Sequence, residues 1–266
     1  MRDSYQIFFA NGLISKEEFF EFGLSETIYV DFDTAATAWE DLKFRLQSNE
    51  RVVIRGFGRD AAGTHLFKKL YEYMFGNRHI QKDATNNAEP TRLLRQWTGL
   101  SKSGGIGFDL IRNYQISHVF GRTKNPLCFT APWNIVYIPK IIDPFTGHEA
   151  TGDMVDEYTR LFQAQCYRKF KSLIDDYNVL VTNPDFLANL NTSLQLMALG
   201  ESIQASEMDK LHKSFKSEFS PIAIQTYAPR FHCYSLQASL QHSLYAPVPN
   251  AHTAPSSGSW NAPSAP

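Results

Sequence analysis

The sequence predicts an α+β protein, a mainly helical body with a short two-stranded hairpin embedded near its middle. Three observations lead there. Apolar residues recur at helical spacing in long stretches on both sides of the middle of the chain. Two strand-like runs, residues 114–119 and 134–138, lie close together between those stretches. The apolar strand near residue 52 is not followed by a second strand–helix–strand unit, which a doubly wound sheet would need. The resulting map has a helical region with a basic segment at 1–111, a hairpin motif at 112–150, a second helical region at 151–220 and an irregular to disordered tail at 221–266.

The individual elements follow from capping, periodicity and breakers. In "SKEEFFEF", Ser15 stands three positions before Glu18, a capping-box start for a short helix. Over 34–48, Trp39, Leu42 and Leu46 share a helical face, with Thr34 in position to cap it. Val52–Ile54 reads as a buried strand ending in a glycine turn. Leu66, Phe67, Leu70, Tyr71, Met74 and Phe75 then trace a helix that Gly76 stops. Residues 77–91 read as a polar loop, "RLLRQWTGL" as a helix and "SKSGGIG" as a flexible break. After the hairpin, one long amphipathic helix is expected over 152–178, its stripe running from Met154 and Tyr158 through Cys166 and Phe170 to Ile174. Another helix is expected from Pro184, and the Pro/Ser/Ala-rich end has no apolar period.

Composition narrows the class. A chain of 266 residues with 43% hydrophobic and 14% aromatic content can bury a core as one large domain or two small ones. Cys128, Cys166 and Cys233 are three widely spaced thiols, which makes neither a disulfide framework nor a zinc finger and fits a cytoplasmic setting. The start lacks a signal-peptide pattern, and no apolar run is long enough to span a membrane. The net charge of −1 conceals an asymmetry: residues 1–50 hold ten acidic and four basic groups, and residues 77–126 hold eight basic and three acidic ones. A basic middle suits a polyanion lying along one face.

The polar residues of 113–148 supply the chemistry. "YQISHV" alternates, with Tyr114, Ile116 and His118 on one side and Gln115 and Ser117 on the other. "NIVYI" returns, closed by Pro139. Hydrolysing a phosphodiester takes a base for water and a cation for the charge that builds on phosphate. Neutral imidazole suits the first task, and Asn and Asp oxygens suit a hard ion such as magnesium. His118, Asn134 and Asp143 are of those types, sixteen and nine positions apart.

This order and spacing, with "PWNIVYIPK" around the asparagine, resemble the HNH or ββα-metal nucleases. The resemblance covers about 36 residues. It implies a ββα-metal hairpin, with His118 as general base, Asn134 as loop-orienting residue or metal ligand, and Asp143 or His148 in the third, metal-facing position. It also implies a divalent metal, Mg2+ with Mn2+ as the alternative, and double-stranded DNA as substrate. The activity it implies is that of a metal-dependent DNA endonuclease of type II restriction kind, with a homodimer compatible. Two positions depart from the family's habit: Ser117 stands where many members carry an Asp or His ligand, and Asp143 is followed by Pro144. Taken singly, each residue also has an ordinary explanation, since Asn134 can satisfy a strand start and "DPFTG" is a good turn.

Arg122 and Lys124 in the inter-strand loop, and Arg92 and Arg95 upstream, are the expected DNA contacts, to phosphates or, for an arginine, to a guanine edge. Asn86, Asn87 and Thr91 are of types suited to groove contacts. The segment Gly56-x-Gly58-x-x-Ala61 has the context of a dinucleotide fingerprint, but its acid twenty-odd residues on would be Asp83 in a polar loop, and a tight strand-to-helix turn explains both glycines. The alternative of another class is a non-catalytic DNA-binding or interaction module that keeps the ββα shape.

Overall fold

The computed structural model describes residues 2–57, 63–147, 149–200 and 203–223, all within one compact unit spanning Met1–Gln225. It mixes helix and strand and is 56% helical, an α+β arrangement. The predicted tail beyond 223 lies outside the described residues, as do Gly58, Ala61, His148 and Cys233.

The elements in chain order begin with three helices: α1 (Ser4–Ala10), α2 (Lys16–Ser25) and α3 (Phe32–Gln47). Strand β1 (Val52–Ile54) and helix α4 (Thr64–Phe75) follow, then β2 (Ile80–Lys82), α5 (Ala88–Thr98), β3 (Leu100–Ser101) and β4 (Asp109–Leu110). The hairpin is β5 (Tyr114–His118) and β6 (Ile135–Pro139), after which a 3-10 turn (Asp143–Thr146) leads to α6 (Asp153–Lys169). Helices α7 (Lys171–Thr182), α8 (Pro184–Gly200) and α9 (Ala205–Glu218) complete the described chain.

The expected capping box is present, with the Ser15 hydroxyl accepting from Glu18 N–H and the Glu18 carboxylate accepting from Ser15 N–H. Helix α3 starts two residues earlier than expected. Asp31, not Thr34, is its cap and accepts the Thr34 N–H at 2.9 Å. The expected polar loop at 77–91 contains β2, which pairs in parallel with β1, and the first turn of α5. Asp83 accounts for that early start, since its carboxylate accepts the N–H groups of Thr85, Ala88 and Glu89. That use counts against the dinucleotide reading, because the Asp83 carboxylate is engaged by the backbone at the start of α5. Gly56 has its own reason, as a Cβ there would stand 2.5 Å from the Asp83 carbonyl oxygen.

The glycine-rich stretch after α5 is flanked by β3 and β4, a parallel pair closed by left-handed glycines. The single helix expected over 152–178 is two, α6 and α7. Phe170 leaves helical conformation at φ −117, ψ 30 and sits fully buried beside Tyr29. Apolar spacing runs straight through this corner, which is why periodicity does not reveal it.

One apolar cluster runs through residues from all three predicted regions upstream of the tail. Its aromatic heart joins Trp39 and Trp133 edge to face and Trp133 to Tyr177 at a tilt. A second knot packs Phe20, Phe145 and Tyr158 where α2 and α6 meet the 3-10 turn. Residues β5 and β6 pair antiparallel, His118 opposite Ile135 and Tyr114 opposite Pro139. Ile28 exchanges both backbone hydrogen bonds with Tyr137 and so covers the outer edge of β6. All of β6 is buried, and Ile116, Ser117 and His118 of β5 are buried together, so the hairpin is covered on both faces and not solvated on one.

Candidate functional site

The site forms where β5 ends. His118 is the last residue of that strand and is 4% exposed. Its Nε2 lies 2.9 Å from the carbonyl oxygen of Phe129, and the Phe129 ring stacks on the imidazole with centroids 5.2 Å apart. A carbonyl only accepts, so Nε2 carries the proton and, in the neutral ring, Nδ1 is the basic nitrogen.

The loop joining the two strands is not the solvated basic turn that its composition suggests. Residues 125–134 are buried throughout. Asn125 starts a turn, its Oδ1 accepting Leu127 N–H at 2.8 Å and its Nδ2 donating to the Tyr177 hydroxyl at 3.1 Å. Asn134 closes the loop. Its Oδ1 accepts the Phe120 N–H at 2.8 Å, and its Nδ2 donates to the carbonyls of Gly121 and Cys128 at 3.0 and 2.9 Å. Of the two roles expected for Asn134, these are the bonds of loop orientation. As a metal ligand it is misplaced: the side chain is fully buried, spends both ends of its amide on backbone and does not line the cleft described next.

That cleft has a volume of about 880 Å3. His118, Ser117 and Asp143 line it, together with Arg55, Arg122 and Lys124. Asp143 is 7% exposed and opens the 3-10 turn. Gly23 lets α2 approach this turn, since a Cβ there would stand 2.5 Å from Ile142 Cγ1 and 2.6 Å from the Tyr158 hydroxyl. The Ser117 hydroxyl is buried with no hydrogen-bond partner. The Asp143 carboxylate is a hard oxygen donor of the kind that fits an ion of the magnesium type, which is held by few protein groups and keeps several waters. No cluster of three or more His, Cys, Asp or Glu side chains with metal-ligand geometry occurs among the described residues. His148, the other expected ligand, lies outside them.

The four expected DNA contacts divide. Arg122 and Lys124 line the cleft, and both also hold the C-terminal segment: Arg122 Nη2 donates to Ser220 Oγ and the Pro221 carbonyl at 3.0 and 3.2 Å, and the Lys124 N–H donates to Glu218 at 3.1 Å. Burial pushes the Glu218 carboxyl above its ordinary pKa, against the pull of Lys124. Arg92 and Arg95 do not line this cleft. Arg92 pairs with Glu89 at 2.7 Å and borders a different depression beside α3, and the Arg95 guanidinium lies 3.9 Å over the Phe108 ring. Arg92 remains half-exposed, and α5, which packs on β3 and β6, brings neither residue to the cleft.

Other cleft residues were not singled out from the sequence. Among them, Arg55 follows β1, and Ser214, Ser217 and the carboxylate residue Glu218 come from α9. Arg55 is brought in by the hydrogen bond from its N–H to the Thr123 carbonyl at 3.0 Å, a long-range contact without a local sequence signal.

A family model described as "Uncharacterised protein PM1201" matches residues 30–224. A relative from Pasteurella multocida (strain Pm70), "Uncharacterized protein PM1201", is 41% identical over 181 residues, which is 68% of this chain and 80% of that protein. No solved structure matches the chain. No helix among the described residues is long and apolar enough to cross a membrane. The match takes in α3 through α9, the hairpin and its cleft included, and the chain belongs to the PM1201 family.

Proposed function

We propose that this protein is a metal-dependent DNA endonuclease of the ββα-metal type, with His118 as its general base. The observation that carries the reading is the setting of His118. It ends the first strand of an antiparallel hairpin, its Nε2–H is fixed on the Phe129 carbonyl, and it shares one cleft with Asp143 and three cationic side chains. Supporting it is the order of elements, two strands, a short turn and then helix α6, with α6 packed on the turn that carries Asp143.

In this reading the imidazole Nδ1 takes a proton from water, and the Phe129 carbonyl steadies the resulting imidazolium through Nε2–H. Asn134 holds the loop that carries Phe129, so it acts as a positioning residue. Arg122 and Lys124 hold the phosphodiester backbone in the cleft. Asp143 would hold a Mg2+-class ion, which supplies charge neutralisation at the phosphate.

The test is cleavage of supercoiled plasmid with Mg2+ and with EDTA. Nicked or linear product with Mg2+ alone is the expected outcome. Retarded but intact plasmid in both conditions would make the protein a DNA-binding module instead.

A further inference from the structure

Arg122 occupies a backbone conformation that its side chain does not favour. Its φ is +56°, in the left-handed region. The other non-glycine residues there, Asn49 and Asn113, are of the type that tolerates it, and arginine is not. Strain of this kind is retained where surrounding structure requires it, and it clusters at ligand clamps. Arg122's guanidinium is also unevenly used. Nη2 has two acceptors in the C-terminal segment, and Nη1 is buried with no hydrogen-bond partner. The guanidinium carbon lies 5.9 Å from the centre of the Tyr177 ring, which meets the charge with an aromatic surface and not with a carboxylate.

Arg55 stands beside it. The Arg55 N–H bonds the Thr123 carbonyl, one residue from Arg122, and ties the segment after β1 to the loop after β5. Its Nε donates to the Phe57 carbonyl at 3.2 Å, and neither arginine has a carboxylate partner within salt-bridge distance among the described residues. Both line the cleft that holds His118. Two guanidiniums from separate segments, neither paired with a carboxylate among the described residues, match the charge and the several oxygens of a phosphate.

We propose that Arg55 and Arg122 together form a clamp for a backbone phosphate of duplex DNA in the cleft beside His118. The clamp rests on the phosphodiester reading of that cleft, and it gives Arg55, a residue without any motif, a specific binding role. Its phosphate contact carries no base information, so its effect is the same on every sequence.

Binding of a short labelled duplex is measured by anisotropy at several salt concentrations in EDTA, where no metal-dependent cutting takes place. The variants are Arg55→Gln and, at the depression beside α3, Arg92→Gln, each checked to be folded at the assay temperature. Arg55→Gln should weaken binding on two duplexes of unrelated sequence alike and lower the slope of log K against log salt by about 0.9. Arg92→Gln should leave both unchanged. If Arg55→Gln binds as the wild type does, or if the wild type does not bind duplex at all, the clamp is wrong. Failure of the catalytic reading looks different: a His118 variant that still cuts plasmid overturns the base and leaves the Arg55 slope standing. Arg122→Gln is a second variant, interpreted only if it stays folded, and it should match the Arg55 slope change.

Discussion

His118 and Phe129 are joined twice, by the 2.9 Å contact from Nε2 to the Phe129 carbonyl and by rings stacked at 12°. Eleven positions apart in sequence, the two meet because Asn134 folds the intervening loop back across the end of β5. The loop therefore sets the proton position on the imidazole, and the buried asparagine sets the loop.

The first prediction separates the imidazole's chemistry from its packing. His118→Ala removes the ring from a buried stack and leaves the Phe129 carbonyl without its donor, so it should lower stability by about 1–3 kcal/mol. His118→Gln keeps a donor of similar reach and should recover part of that loss in a thermal melt. Both should lose plasmid cleavage by about 10²–10⁴-fold, the usual cost of removing a general base. Wild-type cleavage by folded His118→Gln would remove His118 from the mechanism.

Asn134 gives the second. Replacement by Ala leaves one buried N–H and two buried carbonyls without partners, each worth about 1–3 kcal/mol. A total on the order of 3 kcal/mol corresponds to a melting temperature lower by roughly 6–12 °C for a chain of this size. Asn134→Asp keeps the Phe120 bond and turns the two carbonyl contacts repulsive, so it should be no better than Ala. Melting curves of the two variants decide it. An Asp variant as stable as the wild type would mean that the Nδ2 donors do not hold the loop.

How much of this was legible in the sequence varies with the range of the cause. Local causes read well. The Ser15–Glu18 box, the Gly76 stop and both hairpin strands follow from residues within a few positions of one another. Strand β2 and the early start of α5 did not, because a three-residue strand has too short a period to see and Asp83 caps from five and six residues away. The site split in the same way. His118 and Asp143 were named from spacing, and the structure brings them to one cleft. Arg55 was invisible, because only the parallel β1–β2 arrangement and the bond to Thr123 carry it there. Arg92 and Arg95 were grouped with Arg122 and Lys124 on charge alone, and a basic stretch in sequence does not show that Glu89 and Phe108 engage those side chains away from the cleft.

Gly23 supplies the third prediction. Gly23→Ala drives a methyl into Ile142 and Tyr158 at the contact that seats the 3-10 turn. Overpacking of this kind costs about 1–3 kcal/mol. Because Ile142 directly precedes Asp143, the variant should lose cleavage as well as melting temperature. Tyr158→Phe relieves one of the two clashes, and in a Gly23→Ala background it should restore some of the lost stability. If the single variant melts like the wild type, α2 is not fixed against this turn.

The last prediction concerns pH and the cluster that binds Arg92. Burial of Glu89 opposes its ionisation, but hydrogen bonds from Arg92 and Arg51 reverse that and bring its pKa from 4.5 down to about 2. The carboxylate is buried and both arginines are half-exposed, so solvent weakens the pairing on its outer side. A carboxyl with a depressed folded-state pKa adds stability that is fully present above its unfolded value. That stability falls as pH drops below about 4.5 and is gone below about 2. Glu89→Gln removes this dependence, and each pKa unit is worth about 1.4 kcal/mol, so the full effect is at most about 3 kcal/mol. Urea unfolding of wild type and Glu89→Gln at pH 7, 5, 4 and 3 isolates the term, because the other carboxyls are common to both proteins. The stability gap should be constant from pH 7 to 5 and should narrow between pH 5 and 3. Arg92→Ala should narrow the gap at pH 7 itself, since one of the two partners is then missing. A gap that stays the same down to pH 3 would mean that Glu89 titrates alike in folded and unfolded chains, and Arg92 would then be available to contact something else.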